Sequence, residues 1–198
     1  KCTYWSFSSR TVEWTHRKSK TFAIRPKVWQ PKSSGLSLSR EKATDNFFDV
    51  GGRRILIMGC ERSGIEEVWA HPFRILQDVK IGFKVGPRDT VWAETLLPSV
   101  TVKPESFTRT FTFDGATIEE TTFGALGLPC GAIRFEVGGN EQVEIILTAT
   151  IDLRVMWPLS EHATGSLSYG WDDGLQAAVI HAESANATSI LGSSLQPA

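Results

Sequence analysis

The sequence predicts an all-β protein, an antiparallel sandwich or barrel. Short alternating or β-branched runs recur at roughly 8–12-residue spacing. Glycine- and aspartate-bearing turns separate them. No stretch sustains a helical period; the nearest candidate, Val68 to Val79, contains Pro72 and lacks a cap. With 198 residues the chain is long enough for one sizeable core.

Residues 1–49 read as the least regular part. Arg17-Lys18-Ser19-Lys20 is polar and basic. Ile24 to Pro31 reads as extended, because residues before proline are pushed out of the helical region. Ser33 to Ser39 reads as a loop passing into a short alternating run. From residue 50 onward a β-sandwich domain is expected, with about ten to twelve strands. Arg54 to Met58 is a short apolar run between Gly52 and Gly59. Ile65 to Trp69 follows a Ser63-Gly64 turn, and Val79 to Val85 alternates apolar with polar or glycine. Phe107 to Phe113 alternates likewise, and Ala116 to Phe123 returns after Asp114-Gly115. Asp-Gly tolerates the positive φ angles of a type I′ turn, so this pair reads as a hairpin.

Gly131 to Val137 ends at Gly138-Gly139-Asn140, another tight turn. Gln142 to Leu153 is a β-branched run about twice the usual strand length. Ser166 to Trp171, Asp172-Asp173-Gly174 and Leu175 to His181 read as a further hairpin, and Thr188 to Leu191 opens a last strand. Thr and Glu on alternate positions predict sheets with one wet face.

Composition narrows the function. Lys plus Arg is 21 and Asp plus Glu is 22, a formal net charge of −1. Such a chain carries no electrostatic footprint for nucleic acid and no polybasic membrane patch. No apolar run nears the roughly 18 residues that cross a bilayer. Cys2, Cys60 and Cys130 lie far apart with no CxxC, so a zinc or redox motif is not expected. Cys60 and Cys130 read as buried, isolated thiols. The start at Lys1-Cys2, without methionine, predicts a processed or cut chain.

Chemistry-bearing motifs are sparse. Glu66-Glu67 and Glu119-Glu120 are adjacent pairs on strands, so their side chains point to opposite faces and cannot flank one glycosidic bond. Both pairs read as solvated carboxylates on wet sheet faces. His16, His71, His162 and His181 lack metal-like spacing, and no nucleophile elbow occurs. Gly51-Gly52 and Gly138-Gly139 are turn pairs, not phosphate cradles. Asn186-Ala187-Thr188 is a formal glycosylation acceptor. No cofactor and no metal are expected. The distinctive feature is seven tryptophans. Tryptophan stacks on sugar faces and also fills cores and interfaces. Trp69 and His71 on one strand-end segment, with Trp157 and Trp171 near a later corner, are the candidate carbohydrate-binding residues.

A resemblance adds to this. The glycine-flanked strand Arg54 to Gly59 is followed by Ser63 to Val85, with its IEEVWAHPFRI segment. Then come the acidic strand and glycine-rich loop of Thr117 to Val137, the long strand of Val143 to Pro158 ending in a Trp-Pro corner, and Gly165 to Ala182. This order resembles the N-terminal β-sandwich that precedes the helical toroid of six-hairpin glycosidases, the glucoamylase-like and glycogen-debranching-like glycoside hydrolases. The likeness covers roughly residues 50–191 and rests on strand order and aromatic placement. It implies a two-sheet supersandwich of the galactose-mutarotase-like type. It implies a partner, the catalytic (α/α) toroid of the same parent chain, with oligosaccharide as the ligand, and a secreted or periplasmic setting. The expectation that follows is a non-catalytic module of a larger glycoside hydrolase. A stand-alone carbohydrate-binding module using exposed tryptophans is the first alternative, and a mutarotase-like sugar epimerase the second. The epimerase would need a catalytic His and Glu in strand contexts that this chain does not mark.

Overall fold

A computed structural model describes residues 7–8, 11–17, 35–156 and 165–194. Among them seventeen strands form, all paired antiparallel, and no α-helix. In chain order they are β1 (Phe7–Ser8), β2 (Thr11–Arg17), β3 (Leu38–Arg40), β4 (Phe47–Gly51), β5 (Leu56–Cys60), β6 (Gly64–Ala70), β7 (Phe73–Val85) and β8 (Val91–Trp92). After a short 3-10 turn at Ala93–Thr95 come β9 (Ser99–Lys103), β10 (Ser106–Phe113), β11 (Ala116–Gly124), β12 (Gly131–Gly138) and β13 (Val143–Thr150). The last are β14 (Arg154–Val155), β15 (Leu167–Asp172), β16 (Ala177–Ala182) and β17 (Ala187–Gly192). The all-β, antiparallel, sandwich-like class expected from the sequence is what forms.

The largest sheet runs β1-β2-β13-β7-β6-β5-β4, with β8 and β14 attached to β7. The second runs β12-β11-β10-β9-β3. Their inner faces meet in two apolar clusters. In the first, Phe48 of β4 stacks on Phe107 of β10 with ring centroids 3.8 Å apart. In the second, Phe83 of β7 meets Phe111, Phe113 and Phe135 of the facing sheet at 5.0, 6.0 and 6.5 Å. Fully burying one such ring contributes about 1.5–3 kcal/mol. A third sheet, β15-β16-β17, has its own cluster. There Ala178, Ile180 and Ala182 of β16 pack with Ile151 and Leu153, in the segment joining β13 to β14.

The turn chemistry follows the residues. Asp114 and Gly115 have φ of 52° and 77°, the two positive values of a type I′ turn. Gly138-Gly139, by contrast, does not close a hairpin. It precedes a crossover from β12 in the second sheet to β13 in the first. The 142–153 run is β13 followed by a break before β14. In the stretch up to residue 51, which reads as the least regular part of the sequence, β1 to β4 form. Their partners are remote: β2 pairs with β13 and β3 with β9. A local pattern cannot announce such pairing.

Two polar anchors cross the core. Arg109 of β10 and Glu120 of β11 are directly opposed and almost fully buried, 1% and 2% exposed. Arg109 donates to both Glu120 carboxylate oxygens, at 2.9 and 2.8 Å from Nη2, and to the Arg62 carbonyl at 2.9 Å. Gly64 makes room for it: its φ is +89°, and a Cβ there would stand 2.5 Å from the guanidinium. Glu61 is likewise buried, held by Arg40 and by the backbone and hydroxyl of Thr44. Glu120 thus departs from the solvated carboxylate expected of it. An opposed arginine on the same sheet face compensates its burial. Cys130 departs too: it is exposed, and Cys60 is only partly buried.

Candidate functional site

The polar cluster with the most convergent chemistry stands where β6, β7 and β14 run side by side. Alternation puts Glu67 and Trp69 of β6 on one face. On β7 the pairing skips Ile75: Val68 opposes Leu76, then Trp69 opposes Arg74. That extra residue is a bulge, and it re-aims Arg74 toward Trp69. On its other edge Arg74 opposes Arg154 of β14. Trp69, Arg74 and Arg154 therefore form one row across three strands, flanked by Glu67 and Asp152.

Arg74 holds both carboxylates. Its Nη1 donates to Glu67 at 2.8 Å and its Nη2 to Asp152 at 2.5 Å. The Trp69 indole N–H donates to the other Glu67 oxygen at 2.7 Å. Both guanidinium groups lie within cation–π range of the Trp69 ring, Arg74 at 6.0 Å and Arg154 at 5.6 Å. Burial pushes the Glu67 carboxyl up, but the Trp69 and Arg74 hydrogen bonds and the arginine charges outweigh it. The net effect holds it below the usual carboxylate range. Burial lowers Arg74, and its two carboxylate partners more than reverse that.

Arg154 is placed differently. Its Nε is buried and has no hydrogen-bond partner. The carboxylates beside it are already engaged by Arg74; Asp152 reaches Arg154 only through the backbone N–H, at 3.4 Å.

Of the four candidate tryptophan and histidine residues, two come together here. Trp69 is half-buried near the end of β6. His71 is exposed at the turn into β7, where the His71–Pro72 peptide is cis. The Pro72 carbonyl accepts from the Met156 N–H at 2.8 Å and ties this turn to the end of β14. Trp171 belongs to the third sheet, where it is half-buried against that sheet's apolar cluster. Trp157 lies outside the described residues. Sequence reasoning missed Arg74, Asp152 and Arg154, and it set Glu67 aside as solvated. The usable signal was the i, i+2 pairing of acidic and aromatic or basic residues in Glu67/Trp69 and Asp152/Arg154.

An open acidic groove of about 390 Å³ leads away from Glu67 past Asp78 and Glu94, with Lys80 on its wall. Among the described residues no group of three or more His, Cys, Asp or Glu side chains could hold a metal ion. No helix among them is long and apolar enough to cross a membrane.

Compared with protein-family profiles, curated proteins and solved structures, the chain returns no match.

Proposed function

We propose that the chain is a non-catalytic β-sandwich module of a larger glycoside hydrolase, meeting glycan at its Trp69 face and a catalytic helical toroid elsewhere. The observation that carries this reading is the Glu67–Arg74–Asp152 bridge with Trp69 seated in it. A general acid at a glycosidic bond needs a raised pKa and a mobile proton. Glu67 is instead held below the ordinary range by its partners. That argues against Glu67 as a general acid, and the cluster supports recognition: an indole with its N–H fixed, and charged groups around it that can hydrogen-bond hydroxyls.

Apolar side chains on the edge strands support a neighbouring domain. Leu38 on β3 is 77% exposed beside its cross-strand partner Val102, 36% exposed. Phe47 on β4 is 80% exposed. Exposed apolar side chains at and beside the outer strands of the described sheets suit a covered surface better than a wet one.

Hydroxyl-radical footprinting tests the reading, comparing the 198-residue chain with its full-length parent. Protection of Leu38, Val102 and Phe47 in the parent, with Trp69 protected only when oligosaccharide is added, is the expected result. Equal labelling of the edge residues in both, together with glycan hydrolysis by the isolated chain, would overturn it.

A further inference from the structure

We infer that the Trp69 face selects acidic glycans, with Arg154 as the group that recognises the anion. This rests on the reading of that face as a glycan-binding surface and goes further by naming the ligand's chemical class.

The inference follows from how the two arginines are used. Arg74 and Arg154 are cross-strand neighbours, yet Arg74 takes both carboxylates, donating to Glu67 and Asp152. Arg154 forms no ion pair with a described residue, and its Nε is left without an acceptor. A guanidinium is always charged and presents donors in a planar fork matched to a carboxylate or a sulfate. Arg154 stands 5.6 Å from the ring of Trp69. A pyranose on the tryptophan side of the row would therefore bring a ring substituent within reach of the Arg154 fork. A hydroxymethyl group offers that fork no charge; a uronic carboxylate or a sulfate ester pairs with it. Exposed His71, in the turn just past Trp69, adds a polar group at the end of this strand. The groove lined by Glu66, Glu67, Asp78 and Glu94 disfavours an anion there, whereas Arg154 is not among its lining residues. The ligand is thus oriented, its acidic substituent toward β14.

Three probes of equal length test this: hexagalacturonate, a sulfated hexasaccharide and a neutral hexasaccharide, each titrated calorimetrically against the full 198-residue chain. One of the two acidic probes is expected to bind about ten- to a hundredfold more tightly than the neutral one, the range of a hydrogen bond to a charged group. Which acidic probe wins identifies carboxylate or sulfate as the source. That preference should shrink as salt rises on the unaltered chain. Arg154→Gln should bring the acidic-to-neutral ratio to about one, and Arg154→Lys, which keeps the charge but loses the fork, should leave it in between. Equal affinity for all three probes, or a preference that survives in Arg154→Gln, overturns the inference and leaves the glycan-binding reading standing. No binding of any probe removes both.

Discussion

Replacing Glu120 by alanine strands the Arg109 guanidinium in the core. The pair is 1% and 2% exposed, and the carboxylate accepts at 2.9 and 2.8 Å from one nitrogen and 3.3 Å from another. Gly64 closes over the guanidinium and the Phe111 ring lies 5.2 Å from it, so the charge is walled in on both sides. Removing one partner of such a pair costs about 3–5 kcal/mol. For a chain of this size each kcal/mol moves Tm by about 2–4 °C, so Glu120→Ala should melt about 6–20 °C lower. The double variant Arg109→Met/Glu120→Leu removes the uncompensated charge and should be less damaging than either single change. The Arg62 carbonyl then loses its donor, which offsets part of the relief. Urea unfolding of the parent, both singles and the double, followed by far-UV circular dichroism, measures the coupling. A Glu120→Ala variant within about 0.5 kcal/mol of the parent, or a double variant no better than the worse single, would refute the account of this pair as mutually dependent.

Other expectations follow from the same packing. Phe107→Ala removes the ring that stacks on Phe48 between the two sheets and should cost about 3–5 kcal/mol by chemical denaturation. Gly64→Ala places a side chain at φ +89° against Arg109 and should destabilise by more than about 1 kcal/mol, whereas a neutral result would remove the close-approach argument. The Glu67 carboxyl is depressed in the folded state by Trp69 and Arg74, so its contribution is present above the unfolded carboxylate pKa and is lost as pH falls through the lower folded value. Tryptophan fluorescence should therefore shift in that acid window, and the shift should vanish in Glu67→Gln. Cys60 is pushed up by burial and by Glu66, so Cys60 should alkylate more slowly than exposed Cys130 at neutral pH, as read by peptide mass mapping.

Much of the fold was legible because its signals are local. The alternation of Phe107 to Phe113, the Asp114-Gly115 turn and the return strand became β10, its type I′ turn and β11. The candidate site was only half legible. Trp69 and His71 stand out as an aromatic and a polar group at a strand end, and both are found at the β6–β7 turn. Arg74, Asp152 and Arg154 do not stand out, because what matters about them is position. Asp152 comes to Arg74 from 78 residues away in sequence, and only through the β7–β14 pairing. Glu120 was misread for the same reason. An acidic residue on a strand looks solvated until the strand opposite is known to carry an arginine on the same buried face.

Local pattern was enough to announce a chain of antiparallel strands and the Asp114-Gly115 hairpin. Period-two alternation and positive-φ residues act over a few neighbouring positions, so a local stretch carries them. Which strands are neighbours, how they divide among three sheets, and how one arginine gathers two carboxylates beneath a tryptophan while the Nε of the next lacks an acceptor all come from the tertiary fold. Strand pairing exchanges the same backbone hydrogen bonds whichever partner is chosen. The choice therefore rests on how buried faces fit across the whole molecule, and no single segment contains that information.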